Sequence, residues 1–161
     1  MKRVVFLVVC LFLCVFLFSC GALPSPSSIV GEVLASVPFP SGRIYDSGVD
    51  ETSERYMSSE LISNHFGVGS DTYEFSLIDS CAVYLSARDE PCELAVFLCR
   101  AKSDTAIIAD MCLERIELLH DYFGSLGINY RVEICGKYVV MAVCDKPETA
   151  VKRAISVISH S

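Results

Sequence analysis

The chain has 161 residues, 20 acidic against 13 basic, for a formal charge of −7. That balance disfavours nucleic acid and an anionic bilayer surface as electrostatic partners. The 52% hydrophobic content is swollen by one N-terminal run and does not describe a multi-spanning protein.

Lys2 and Arg3 precede fifteen apolar residues, 4–18, and then Ser19, Cys20 and Gly21. A basic start, an apolar run of this length and small residues after it read as a secretory signal. Leu17-Phe18-Ser19-Cys20 resembles the lipobox of bacterial lipoproteins, although Phe18 is bulkier than the residue usual there. The resemblance implies that Cys20 is the lipid attachment site, carrying palmitate-like acyl chains as the first mature residue. An uncleaved apolar anchor is the alternative. Either way the remainder is held at a cell membrane on its extracytoplasmic face. Residues 1–19 are thus the signal, 20–28 the lipidated cysteine and a Pro- and Ser-containing tether, and 29–161 a single domain. Removing 1–19 leaves 142 residues, enough for one core, with eleven basic against twenty acidic residues and a formal charge of −9.

Six cysteines lie in the domain: Cys81, Cys92, Cys99, Cys112, Cys135 and Cys144. Several sit inside apolar patterns, where cysteine serves as a small hydrophobe, so mostly free thiols are expected. Cys81 and Cys99 are the pair to check for a disulfide. No C-x-x-C occurs, and His65, His120 and His160 have no ligand-like spacing to the cysteines, so neither metal nor cofactor is expected.

Along the domain, residues 29–37 have helical apolar spacing and end before Pro38 and Pro40. The polar stretch 41–57 reads as surface wrapping. Ser58 or Ser59 caps a short helix through Phe66, stopped by Gly67. Residues 73–78, 81–87 and 93–101 read as strands. The stretch 103–123 is the dominant element, a helix with Ser103 as N-cap and Gly124 past its end. Its acids Asp110, Glu114, Glu117 and Asp121 form one narrow stripe. The rest of its circumference is mostly apolar, which predicts burial over a broad face.

Arg115 falls within that apolar sector, and a guanidinium there must find acceptors or snorkel outward. A structural ion pair is one reading, a pocket for an anion or carboxylate the other. Glu93 is the expected partner. Helix rise from Asp104 to Arg115 is about 16 Å, which carries the preceding strand back about five residues from Ala101, short of Glu93. Glu133 is the fallback, on the less favourable face of its strand.

Beyond the helix, Cys135-Gly136-Lys137-Tyr138 predicts a two-residue type II′ hairpin turn. The register puts Val132, Ile134, Val139 and Met141 on the core face. Asp145-Lys146-Pro147-Glu148 matches a capping box that opens a final helix with Val151, Ala154, Ile155 and Ile158 on one stripe. Together these elements predict an α+β fold of two layers, an antiparallel sheet with the long and final helices packed on one face. Ile108, Leu119, Val151 and Ile155 complete the expected core.

The stretch Glu93-Leu94-Ala95-Val96-Phe97, the helix containing Glu114-Arg115, and Gly136-Lys137-Tyr138-Val139-Val140 followed by Asp145 resemble a family of extracytoplasmic bacterial lipoproteins, domain of unknown function 4358. The likeness covers about residues 29–158 and is strongest from Glu93 onward. The chain departs from that pattern in its cysteines and its long 77–92 region. The resemblance implies a small α+β domain outside a Gram-positive cell and supplies no catalytic residues.

Three classes of function remain, one of them a purely structural domain or assembly subunit. A non-catalytic domain would bind an envelope protein or a small ligand at the membrane. A small extracytoplasmic enzyme, most naturally thiol-based, would need an activated cysteine near His65 or His120. No nucleophile-elbow pattern G-x-S-x-G appears.

Overall fold

A computed structural model of the chain describes residues 23–67, 73–124 and 127–160. The expected signal and Cys20 lie outside the described residues. Eleven elements follow in order: α1 (Pro26–Ser36), β1 (Gly42–Asp46), α2 (Ser59–Phe66), α3 (Tyr73–Leu77), β2 (Ile78–Ser86), β3 (Glu93–Cys99), a 3₁₀ turn (Lys102–Asp104), α4 (Thr105–Phe123), β4 (Tyr130–Cys135), β5 (Tyr138–Val143) and α5 (Pro147–Ser159). The strands form one antiparallel sheet in the order β1-β2-β3-β5-β4, with helices packed on it. The fold is α+β.

The single helical layer expected from the sequence is corrected. Side chains alternate across a strand, and β3 divides Ala95, Phe97 and Cys99 from Leu94, Val96 and Leu98. The first set packs with Ile108, Met111, Cys112 and Leu119 of α4 and with Phe66 of α2. The second packs with Ile29, Val30 and Val33 of α1 and with Ala150, Val151 and Ala154 of α5. The long and final helices therefore lie on opposite faces, and the domain has three layers. Every residue of β3 and β5 is buried, as strands covered on both sides require.

Local chemistry accounts for most boundaries. Ser25 caps α1, its Oγ accepting from Ser28 N–H (3.2 Å), so the helix starts at Pro26 and the tether ends before residue 28. Ser58 caps α2 in the same way through Leu61 N–H (3.1 Å), and Gly67 closes it at φ 75°. The α4 helix is entered through the 3₁₀ turn, so Ser103 is not its cap; Asp104 instead accepts from Ala101 N–H (3.0 Å). Gly136 has φ 62° and among the described residues no non-glycine residue has positive φ, which makes the hairpin turn type II′.

Other expectations are revised. Residues 73–77 are helical, and β2 begins at Ile78. The stretch read as surface wrapping contributes β1, an edge strand with the sequence Gly-Arg-Ile-Tyr-Asp. The capping box at 145–148 does not form; α5 starts on Pro147 without a side-chain cap. Ile134 is 45% exposed because β4 is the other edge, and Val132 and Ile155 are only partly buried.

Candidate functional site

Glu93 opens β3 on the α4 side of the sheet, and only 7% of its side chain is exposed. A carboxylate so buried needs donors for both oxygens. Arg115, eleven residues into α4, supplies two: Nη2 donates to Oε1 at 2.5 Å and Nε to Oε2 at 3.2 Å. His65 Nε2 reaches the same Oε2 at 3.1 Å. The structure thus brings together Glu93 and Arg115, the two residues paired from sequence. Glu133, the fallback partner, instead binds Arg131 on its own strand (3.0 and 2.9 Å).

The sequence points to His65 only as a partner for cysteine. It sits in the last turn of α2, held by edge-to-face contact with Phe66 (5.1 Å), which in turn meets Phe97 of β3 (5.3 Å). That aromatic ladder fixes α2 against the sheet and aims the imidazole at Glu93. The signal available from sequence was a histidine at a helix C-terminus beside an aromatic anchor. The link to Glu93 is tertiary and has no sequence spacing.

Burial alone would raise the Glu93 pKa. The hydrogen bonds and charges of His65 and Arg115 outweigh that and hold it below its ordinary value of 4.5. The three side chains form one wall of an open groove of about 530 Å³. Leu85, Leu118, Leu119 and Phe123 give that groove an apolar lining, and Tyr122 and Arg88 stand at its rim. Arg88 is exposed and has no carboxylate within ion-pair distance among the described residues. Glu90 is engaged by the Ser86 hydroxyl (3.0 Å). The arrangement is a satisfied carboxylate flanked by a guanidinium and an imidazole, opening on an apolar trough.

Burial sets five of the six thiols against nucleophilic chemistry. Burial pushes Cys81 and Cys92 up to about 12 and Cys99 to about 11, and raises Cys112 and Cys144 as well. Cys92 borders the groove, but it packs in the α1/α5 core with Cys144, which follows Val143, the β5 partner of Glu93. Cys81 stands opposite Phe97, two residues from Cys99. Such diagonal positions are about 7–8 Å apart, beyond disulfide reach. All six domain cysteines are free. His120 meets Tyr130 edge to face (6.4 Å). Among the described residues no three His, Cys, Asp or Glu side chains converge as metal ligands.

No family model matches the chain, and neither the curated proteins nor the solved structures contain a match.

Proposed function

We propose that this protein is a lipid-anchored extracytoplasmic domain that binds a ligand and does no chemistry on it. The observation that carries the reading is the groove beside Glu93. Its buried polar groups satisfy one another, while its lining is apolar and its rim carries Arg88, which has no ion-pair partner among the described residues. Apolar walls with a few fixed polar groups suit a small ligand with a hydrophobic body and an anionic head. The thiol-enzyme alternative is weakened by the raised thiol pKa values, since the thiolate is the nucleophile.

The lipobox-like Leu17-Phe18-Ser19-Cys20 supports anchoring through Cys20, and the resemblance to domain of unknown function 4358 supports the same placement. Two acyl chains hold a protein at a bilayer where one is marginal, at about 0.8 kcal/mol per buried methylene. Labelled palmitate should enter the wild-type chain and not Cys20→Ala; a wild-type chain without label would end the lipoprotein reading. Ligand binding is tested by thermal shift with medium-chain fatty carboxylates against the matching alcohols. The carboxylates should raise the melting temperature, and Arg88→Ala should reduce the shift. Equal responses to acid and alcohol would remove the anionic-head requirement, and no response to either would reject the groove as a site for this class.

A further inference from the structure

Among the described residues the last strand of the sheet, β4, has a neighbour on one side only. The opposite edge is partly covered, since Asp46 of β1 donates to Arg55 O (2.8 Å) and accepts from Met57 N–H (3.1 Å). Among the described residues no backbone group makes such a contact along the outer side of β4.

The hairpin determines which groups are left open. A two-residue turn makes its flanking residues, Cys135 and Tyr138, a hydrogen-bonded pair. At the far end, Cys144 N–H donates to Asn129 O (3.2 Å). Alternation between these ends directs the backbone of Arg131 and Glu133 toward β5. The N–H and C=O groups of Tyr130, Val132 and Ile134 therefore point outward.

The side chains on this edge are equally unusual. Tyr130 and Ile134 are each 45% exposed, and with Val132 and Leu113 they line a shallow groove between α4 and β4. A hydrophobic edge of this kind invites pairing, and proteins usually block it with repelling charges. Here the edge carries one charge of each sign, Arg131 and Glu133, joined to each other.

About Val132, the run Tyr130-Arg131-Val132-Glu133-Ile134 is its own complement. Two antiparallel copies with Val132 opposite Val132 set Tyr130 against Ile134 and Arg131 against Glu133, each pairing occurring twice. Aromatic–aliphatic and opposite-charge cross-strand pairs are the favourable ones. The outward groups of Tyr130, Val132 and Ile134 all find partners in the same register. We infer that β4 is a homodimerisation edge, joining two copies about Val132 into one continuous ten-stranded sheet.

The symmetry has a consequence for the membrane. Antiparallel strands in one sheet are related by a two-fold axis perpendicular to it, so like faces of the two copies lie on the same side. The described chain enters beside α1, where Tyr138 OH donates to Pro24 O (2.7 Å). Both tethers then leave from one face and can reach one bilayer. This last step rests on the proposed anchor; the dimer does not.

The test is register-specific cross-linking of the full-length chain in detergent with copper–phenanthroline and air. Val132→Cys should give a covalent dimer, because residues paired in this register have Cα atoms about 5.5 Å apart, within disulfide range. Ile134→Cys should not, since its own copy lies four residues out of register, about 13 Å along the strand. The native Cys135 lies farther still and serves as the internal control. Glu133→Arg should weaken the dimer roughly tenfold or more by placing like charges opposite each other, and adding Arg131→Glu should restore it. A chain that sediments as a monomer throughout the micromolar range would overturn the proposal. So would Val132→Cys cross-linking no better than Ile134→Cys, or a dimer indifferent to Glu133→Arg.

Discussion

The two faces of the sheet are built on different principles. On the α1/α5 face the buried side chains are apolar apart from thiols and two tyrosines, whose hydroxyls reach backbone carbonyls: Tyr138 to Pro24 and Tyr84 to Pro40. Helices α1 and α5 are joined outside by Arg153 and Glu32 at 2.7 Å, an exposed pair of the kind that contributes about 0–1 kcal/mol. On the α4 face an equally apolar core is interrupted at its end by Glu93, Arg115 and His65. The first face closes the fold. The second also holds an ionised group beside an open groove, which adds sensitivity to pH and to single substitutions without adding net stability over an apolar core.

Arg115→Ala should be the most damaging test of that contrast. Removing one member of a buried pair leaves the other charge stranded, at a cost of about 3–5 kcal/mol. Urea denaturation measures it, and a loss below about 1 kcal/mol would mean that Glu93 gains water or a proton with little penalty. A double-mutant cycle with Glu93→Gln should show strong coupling, because Arg115 donates through both Nε and Nη2 to this one carboxylate.

The same face should carry an acid-dependent part of stability. Glu93 has a folded-state pKa below its ordinary 4.5, so the unfolded chain binds the proton more readily. Its contribution is complete above about pH 4.5 and is lost as pH falls through the lower folded value. Denaturation curves recorded from pH 6 down to pH 3 should decline less steeply for Glu93→Gln than for wild type. Parallel declines would place the acid sensitivity elsewhere.

On the opposite face, Tyr138→Phe deletes a hydroxyl and leaves the Pro24 carbonyl unpaired. A loss of about 1 kcal/mol is expected, with no change in the acid limb of the stability curve. A loss that varied with acid would show that the two faces are coupled through β5.

These contrasts were only partly legible in the sequence. The hairpin and the C-terminal ends of α2 and α4 were readable because Gly136, Gly67 and Gly124 sit where positive φ is needed. Arg115 was readable because a guanidinium in an apolar sector demands a partner, and Glu93 is a lone acid at the head of a continuous apolar run. The three-layer arrangement had a signal too. Five apolar residues in succession, Val139 to Val143, do not alternate, and a strand exposed on one face would. Pairing them by hairpin register alone chose one face and hid the other. Strand β1 was not readable, because Arg43 and Asp46 on a short edge strand look like loop. His65 joined the cluster through a tertiary contact spanning 28 residues, which no local pattern encodes.

The smallest effect is expected at Ile134, which the hairpin register placed in the core on the same face as Met141. Ile134 is 45% exposed while Met141 is fully buried, because β4 ends the sheet and β5 lies inside it. Ile134→Thr keeps a β-branched side chain at a strand position and removes apolar area that is largely wet in the single chain. Its cost in urea at low protein concentration should lie within about 0.5 kcal/mol. Met141→Ala, on the same face one strand inward, should cost about 2–5 kcal/mol through the cavity it leaves. Raising the protein concentration should enlarge the Ile134→Thr deficit, because wild type then gains stability from a self-paired β4 edge that the variant has weakened. A deficit that stays constant with concentration would confine Ile134 to the monomer. A deficit above about 2 kcal/mol at every concentration would mean that β4 is covered on its outer side within a single chain.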